Sequence, residues 1–544
     1  MRLLLLLLAP LLAVVAQAER QEQPAALAPF HDIVGLSCTT RTDCGYVPAL
    51  ACVNGKCEYC RPAAHDCGDD AGDLANRCQV VEAENEATGE LETQYGLNSE
   101  GETVAAAYCV EKDLFAPFTW KDMVTTFVAF SCTALGSGGG IGGGGLLVPM
   151  YIFFGGLNPK HAIPLSKVTI FGSAVATYVS NFNRKHPINN RRPIINYEMV
   201  GLMEPTTLLG TVFGVMMNHI FPNWLILVLL VTLLSFTTYK TLAKGKKIRQ
   251  IQRENEEDFR SLPPLIEHEP SSSDPLVGSL NKRSFGTFPS DDGQWTHQRS
   301  ALERRETRMF PLVYLWPLAL AWLVVLVQSL LRGGHGAPSA IGVTCASGTY
   351  WLLTFLPLTI LVAIGLWMGY RLRLLNRIKV LSGYHFVDGD IHWTKRRVFV
   401  FPSVCTIAGV AAGLLGIGGG MVKGPIMLEV GILPPVQSAT TSFMILFTAS
   451  STTLQFAING QFPGERQYDY MAWFALMGFL GGFCGQKVVG YFVKKYKRES
   501  IMVYILGATI GLSAVAMGFI GLRATLSDIE KGVHLGFHGI CDNE

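Results

Sequence analysis

The chain has 544 residues, of which 49% are hydrophobic and only 16% charged, with a mean hydropathy of +0.30. That is more apolar than a soluble chain of this length needs to be, and it points to a membrane protein that crosses the bilayer many times. The formal net charge of +2 is too small to mark a nucleic-acid or polyanion partner, so where the charges sit matters more than their sum.

The first residues, MRLLLLLLAPLLAVVAQAER, combine one Arg, an apolar run and the small-residue site Ala16-Gln17-Ala18. This is the pattern of a secretory signal peptide over 1–18, and the run is short for a span of about 20 residues. Residues 19–118 follow as an extracytoplasmic module holding Cys38, Cys44, Cys52, Cys57, Cys60, Cys67, Cys78 and Cys109. An even cysteine set in a stretch poor in large apolar residues reads as a disulfide framework whose connectivity stays open. Cys57-x-x-Cys60 is alternatively half of a zinc site or a redox pair, but neither a second CxxC nor a His at finger spacing follows. No metal or cofactor is expected.

Long apolar runs predict membrane helices at Ala162–Phe182, Tyr197–His219, Asn223–Leu242, Phe310–Leu331, Tyr350–Tyr370, Ser438–Ile458, Tyr470–Val493 and Ile501–Leu522. The polar, Ser/Pro-rich stretch within 243–309 reads as a flexible cytoplasmic loop, with Ser271, Ser272 and Ser273 as a candidate phosphorylated cluster. Two further apolar stretches, Trp120–Gly156 and Val398–Gly431, are interrupted by glycine.

Four loops are basic, around Arg184–Arg192, Lys244–Arg249, Arg371–Arg397 and Lys494–Arg498, and such loops face the cytosol. All four lie inside only if each glycine-rich stretch is a hairpin that returns to the side it came from, the first from outside and the second from inside. Each stretch is therefore expected to be two shortened helices meeting near mid-membrane. On this topology Cys345 and Cys541 share the outer side and are free to pair.

The two hairpins are copies of one another. At a constant offset of 276, Gly140, Ile141, Gly142, Gly143, Gly144, Pro149, Gly155, Leu157, Pro159, Ser166 and Thr177 match Gly416, Ile417, Gly418, Gly419, Gly420, Pro425, Gly431, Leu433, Pro435, Ser442 and Thr453. Each copy precedes three membrane helices, in opposite orientation. The expected fold is thus an all-α polytopic membrane protein: two inverted repeats, each a broken Gly-rich helical hairpin plus three transmembrane helices, with a small disulfide-rich N-terminal extracellular module. Repeat 1 spans 119–242 and repeat 2 spans 398–522, separated by the loop 243–309 and linking helices with a basic loop over 310–397, and followed by an extracytoplasmic tail over 523–544. Inverted repeats with interrupted helices in corresponding positions are a pointer to a secondary transporter, with its site at the repeat interface.

The stretches GLLGIGGGMVKGPIMLEVGILPPVQSATTSFMILFTASSTTLQF and LSKVTIFGSAVATYVSNFNRKHP resemble the TauE/SafE sulfite exporter family, especially its plant-like eukaryotic members, over roughly Trp120 to Thr525. The resemblance implies a permease for small sulfur-containing anions such as sulfite, thiosulfate or organosulfonates, with no enzymatic step.

The residues support an anion site independently. Helix N-termini at the two breaks offer free N–H groups and partial positive charge. The candidate substrate-binding residues are Gly142, Gly143, Gly144 and Ser166 in one copy, and Gly418, Gly419, Gly420, Lys423, Thr441 and Ser442 in the other. Thr440, Thr177 and Thr453 add hydroxyls, although back-bonding to helix carbonyls is the plainer use for any one of these side chains. Lys167 is expected to snorkel outward, and Glu204 to pair with Lys487 or to carry a proton as the coupling ion. The glycine run lacks the Walker A and Rossmann contexts, and His161, His186, His219, His335, His385 and His392 are scattered, so an enzyme is not expected. The rival reading is a membrane receptor or scaffold that uses the Cys-rich ectodomain without transport. The expected partners are the anion, the lipid bilayer and no nucleic acid; the location is the plasma membrane or an endomembrane of the secretory pathway.

Overall fold

The computed structural model describes residues 34–38, 44, 50–61, 66–67, 76–80, 82–84, 91–93, 95–99, 101–111, 114–115, 118–140, 142–157, 159–261, 300–333, 339, 341–343, 347–384, 386, 389–416, 419–459, 461–462, 467–496 and 500–530. The signal-peptide pattern, Ser271–Ser273, Cys345, Cys541 and Gly418 lie outside the described residues.

Among the described residues, the N-terminal module holds four antiparallel strand pairs: β1 (Ala51–Val53) with β2 (Lys56–Glu58), β3 (Asn76–Val80) with β8 (Ala107–Glu111), β4 (Glu82–Glu84) with β5 (Leu91–Thr93), and β6 (Tyr95–Leu97) with β7 (Thr103–Ala105). Asn54 and Gly55 turn β1 into β2 with φ of 53° and 78°, as a tight hairpin turn demands. Register sets Cys52 opposite Cys57 and Cys78 opposite Cys109, yet the disulfides run Cys38–Cys52, Cys44–Cys57, Cys60–Cys78 and Cys67–Cys109. Strands β1, β2, β3 and β8 are each stapled to a neighbouring segment, which replaces the core that so few large side chains could not build. Cys57 and Cys60 are thus paired with Cys44 and Cys78 and not with one another.

Among the described residues, twelve named helices form the membrane part. Repeat 1 runs α1 (Trp120–Gly138), α2 (Gly144–Phe153), α3 (Pro159–Asn181), α4 (Tyr197–Ile220) and α5 (Asn223–Ser261); α6 (Leu312–Arg332) and α7 (Gly348–Leu381) link it to repeat 2, which runs α8 (Lys395–Leu415), α9 (Gly420–Val430), α10 (Pro434–Ile458), α11 (Gln467–Tyr496) and α12 (Ser500–Glu530). Among the described residues, eight helices are long and apolar enough to cross a membrane. Polar N-caps start several of them: Asn196 accepts from the Met199 N–H, Ser347 from Tyr350 and Thr394 from Arg397.

Both glycine segments are hairpins. At the first, Gly155 beyond α2 comes back beside Thr125 near the start of α1; at the second, Gly431 and Leu433 come back beside Gly389, just before α8. The arms are unequal, however. The outer arms α1 and α8 have 19 and 21 residues, and only the returning arms α2 and α9, with 10 and 11, are short. At about 1.5 Å per residue a returning arm climbs about 16 Å, half of a hydrocarbon core about 30 Å thick, which sets the breaks at mid-membrane. A second difference lies in the polar loop: α5 continues to Ser261, because the Lys/Arg/Gln/Glu run after Leu242 is rich in helix formers and carries an i,i+4 contact between Gln250 and Glu254.

The repeats interlock. Each outer arm packs against the second long helix of the other repeat with only glycine between them: Gly210 and Gly214 of α4 face the carbonyls of Thr406 and Val410 on α8, and Gly481 and Gly485 of α11 face those of Phe130 and Ala134 on α1. Phe130 and Ala134 are the offset-276 partners of Thr406 and Val410, so the α4/α11 register between copies has shifted by five residues. At the centre lie α3 and α10, 94% and 100% buried over their apolar windows against 33–50% for α5 to α8.

A Cβ at Gly409 would press on the Thr207 backbone, whereas one at Gly348 meets open space. Gly409→Val is therefore expected to lower the melting temperature of the purified protein by the equivalent of about 1–3 kcal/mol or more, and Gly348→Ala to leave it unchanged; equal melting of the two would remove the close-packing argument.

Candidate functional site

The two breaks meet between α3 and α10. Gly140, Gly142 and Gly143 take φ of 77°, 68° and 82°, and Gly416 takes 71°, a left-handed backbone that residues with a Cβ rarely adopt. Gly140 lies against Ser438 at the start of α10 and its carbonyl approaches Gly420, while Gly416 lies against Ile163 at the corresponding place on α3. Gly145 packs on Met421, so the N-terminal turns of α2 and α9 face each other across the break. Their first N–H groups have no carbonyl one turn back.

The carbonyls at the ends of the outer arms are capped by side chains from neighbouring helices. Gln486 Nε2 donates to Ser137 O at 2.6 Å, Asn218 Nδ2 to Leu414 O at 2.7 Å and Lys167 Nζ to Ala412 O at 2.6 Å, while the Ser513 hydroxyl donates to Gly145 O. Lys167 is 1% exposed and turns inward, contrary to the snorkelling expected of it. It reaches from α3 to the end of α8, and a buried ammonium is tolerable there because the broken helix presents a carbonyl.

The strongest polar contact in the core joins three helices. Lys423 Nζ on α9 lies 2.8 Å from Glu204 Oε2 on α4, both 0% exposed, and the Thr448 hydroxyl on α10 donates to Glu204 Oε1 at 2.5 Å. Cys405 of α8 is buried beside the pair. The sequence reading paired Glu204 with Lys487 instead; Lys487 sits over the Phe483 ring, 4.4 Å from its centroid. In the other repeat the three positions are Leu147, Ala475 and Gly172, and Gly172 packs directly on the Ala475 carbonyl. The charged trio, drawn from both repeats, has no charged counterpart at the equivalent positions.

Of the residues singled out in the sequence, Gly142, Gly143, Gly144, Gly419, Gly420, Ser166, Lys423, Thr441 and Ser442 are all buried around the breaks. Ser166 donates to Ile163 O at 2.7 Å and reaches Gly416 O at 3.2 Å, and Ser442 donates to Ser438 O at 2.8 Å, so both hydroxyls spend their proton on backbone carbonyls. Thr441 accepts from Gln437 and contacts the Met427 sulfur; Thr440 accepts from the Asn196 N–H. Gly143 backs onto the Cys132 carbonyl of α1, so its missing side chain is required by packing, whereas Gly419 faces the Lys423 side chain 3.2 Å from where a Cβ would stand.

A second polar region lies at the end that carries the basic loops. Arg192 bridges Glu306 and Asp390, Lys379 bridges Glu198 and Glu306, and the Tyr384 hydroxyl donates to Glu306. Arg192, Glu198, Glu306, Lys379 and Asp390 wall a cavity of about 400 Å³. Burial lowers the His186 imidazole from its ordinary value, with Arg192 adding to the effect and Asp390 opposing it, which leaves the ring neutral at pH 7.

The sequence profile of the family described as "Sulfite exporter TauE/SafE" matches residues 125–277 and 315–517, which takes in both hairpins and all three helices of the trio. The chain belongs to the TauE/SafE family. It is 30% identical over 431 residues to Sulfite exporter TauE/SafE family protein 3 of Arabidopsis thaliana, covering 78% of this chain and 83% of that one. It is 29% identical to family protein 2 of the same plant, covering 78% and 88%. No solved structure matches it. TauE/SafE proteins are membrane transporters, and this member is a multi-pass membrane protein with breaks at the centre of its bundle.

Removing one partner of the buried pair leaves a lone charge in a desolvated site, at a cost of about 3–5 kcal/mol. Lys423→Met and Glu204→Met are each expected to lower the melting temperature markedly, and the double substitution to recover most of the loss. Additive losses in thermal melts of the three variants would show that the two side chains are not coupled.

Proposed function

We propose that this TauE/SafE member is a permease for small sulfur-containing anions such as sulfite or organosulfonates, held between the two helix breaks beside Lys423. The observation that carries the reading is the buried Lys423–Glu204 pair at the N-terminal turn of a half-helix. A cation kept inside a membrane core is functional by default, and the free N–H groups of α9 converge on the same space. The family and the names of the plant relatives support the substrate class.

An anion arriving at Lys423 competes with Glu204. Leaving both the anion and an ionised carboxylate on one ammonium would bury a net negative charge, so Glu204 takes up a proton as the anion binds. The coupling ion is then a proton moving in the same direction as the anion. Thr448, already hydrogen-bonded to Glu204, can hold the carboxyl in either form.

The test is flux in liposomes reconstituted with the purified chain, using labelled sulfite, thiosulfate, sulfate and taurine under imposed pH gradients. Sulfite uptake should rise when the outside is acidified, and Glu204→Gln should abolish that dependence. Gly419→Ala, which places a Cβ against Lys423, should weaken sulfite affinity more than tenfold. Ser166→Ala and Ser442→Ala should each cost tenfold at most, since one hydrogen bond contributes roughly 0.5 to 1.5 kcal/mol. Saturable binding without flux would favour a receptor, and normal kinetics in Gly419→Ala would move the anion away from the breaks.

A further inference from the structure

The 400 Å³ cavity at the basic end is far larger than a sulfite-sized ion requires and lies apart from the helix breaks. Five cationic and three carboxylate side chains line it. Arg192 and Lys379 are held by Glu198, Glu306 and Asp390, but Arg305, Arg308 and Arg371 have no carboxylate partner among the described residues. Arg305 and Arg371 both stand within electrostatic reach of Tyr314, which places them on one wall. Guanidinium groups gathered without acidic partners are suited to phosphate oxygens, which they bind through paired N–H donors.

The cavity also has an apolar side that leads toward lipid. Phe310, Leu312 and Val313, at the start of α6, line it and are 45%, 73% and 41% exposed. Beyond them Trp316 and Trp367 meet edge to face at 5.5 Å, with the Arg371 guanidinium over Trp367 at 5.4 Å. Exposed tryptophans beside arginines at helix ends mark the level of lipid headgroups, and anionic phospholipids concentrate in the cytoplasmic leaflet, which the basic loops face.

We infer that this cavity between α6, α7 and the loop before α8 is a binding site for an anionic phospholipid whose headgroup carries phosphomonoesters. The headgroup sits on Arg305, Arg308 and Arg371, and the acyl chains run out along Leu312 and the tryptophan pair. Three arginines without a carboxylate partner among the described residues call for more than the single phosphodiester charge of an ordinary phospholipid, and the volume suits an inositol ring with its phosphates.

The test is a titration of the full-length chain in detergent with a fluorescent-tailed phosphatidylinositol bisphosphate, read by anisotropy. Saturable binding is expected, weakened about fivefold by each of Arg305→Gln, Arg308→Gln and Arg371→Gln and about a hundredfold by the triple variant, at the usual contribution of a basic residue near a charged membrane surface. Arg371→Lys, which keeps the charge, should recover most of the Arg371→Gln loss, and Lys246→Gln, an exposed basic residue of α5 away from the cavity, should change nothing. Undiminished binding in a triple variant that melts like the wild type overturns the site. Equal competition by phosphatidylserine overturns the headgroup class, and soluble inositol trisphosphate competing as well as the lipid overturns the lipid source.

Discussion

A peptide chain that reverses direction inside hydrocarbon has to find a partner for every carbonyl and N–H its broken helix exposes, and this requirement organises the membrane part of the molecule. The caps come from outside each hairpin: Gln486 for α1, Asn218 and Lys167 for α8, Ser513 for α2. Each arrives from a helix that must approach the hairpin closely, which is why glycines face backbone carbonyls along α4/α8 and α1/α11. The interlocking of the two repeats follows, since the helices that cap each outer arm include one from the other half. The breaks and the fold are one problem with one solution.

The outer end shows the same economy on a smaller scale. Phe115 and Phe118, between the last strand of the module and α1, sit edge-on to Trp473 of α11 at 5.6 and 6.2 Å, and Trp473 in turn donates to Thr126. The disulfide-stapled module is thereby seated on the helix that packs along the first hairpin. At α1 itself, Asp122 accepts from the Thr119 N–H at 2.8 Å, fixing where the linker ends and the membrane helix starts.

Architecture was legible in the sequence because its signals are coarse and redundant. Apolar length pointed to shortened arms, an ungapped match of glycines and prolines to two copies of one hairpin, and Lys/Arg asymmetry to their opposite orientation. The glycines near the break were legible too, since left-handed backbone leaves little choice of residue. What could not be read was the partnering of side chains far apart in the chain. Lys423 and Glu204 are separated by more than two hundred residues, and their contact depends on how far α4 slides along α8, a register the shift between copies had hidden. Lys167 was misread for a related reason: its distance from the helix start suggested an escape to water, and only the packing of α8 shows a carbonyl waiting for it. The unequal arms were likewise invisible, because a glycine run says where a helix stops and not how far it projects from the bilayer.

A fold made of two inverted copies has, if the copies are alike, two resting shapes that are mirror images in energy, one open to each side. The Lys423–Glu204–Thr448 trio breaks that equivalence, because its counterpart, Leu147, Ala475 and Gly172, is apolar and close-packed. One of these two junctions between the repeats can rearrange by sliding small residues past one another; the other must keep a charge, its counter-charge and a hydroxyl together as it moves. The two shapes therefore differ in free energy even with nothing bound, and the preference of the empty protein for one side of the membrane is written into one of the two junctions between its repeats.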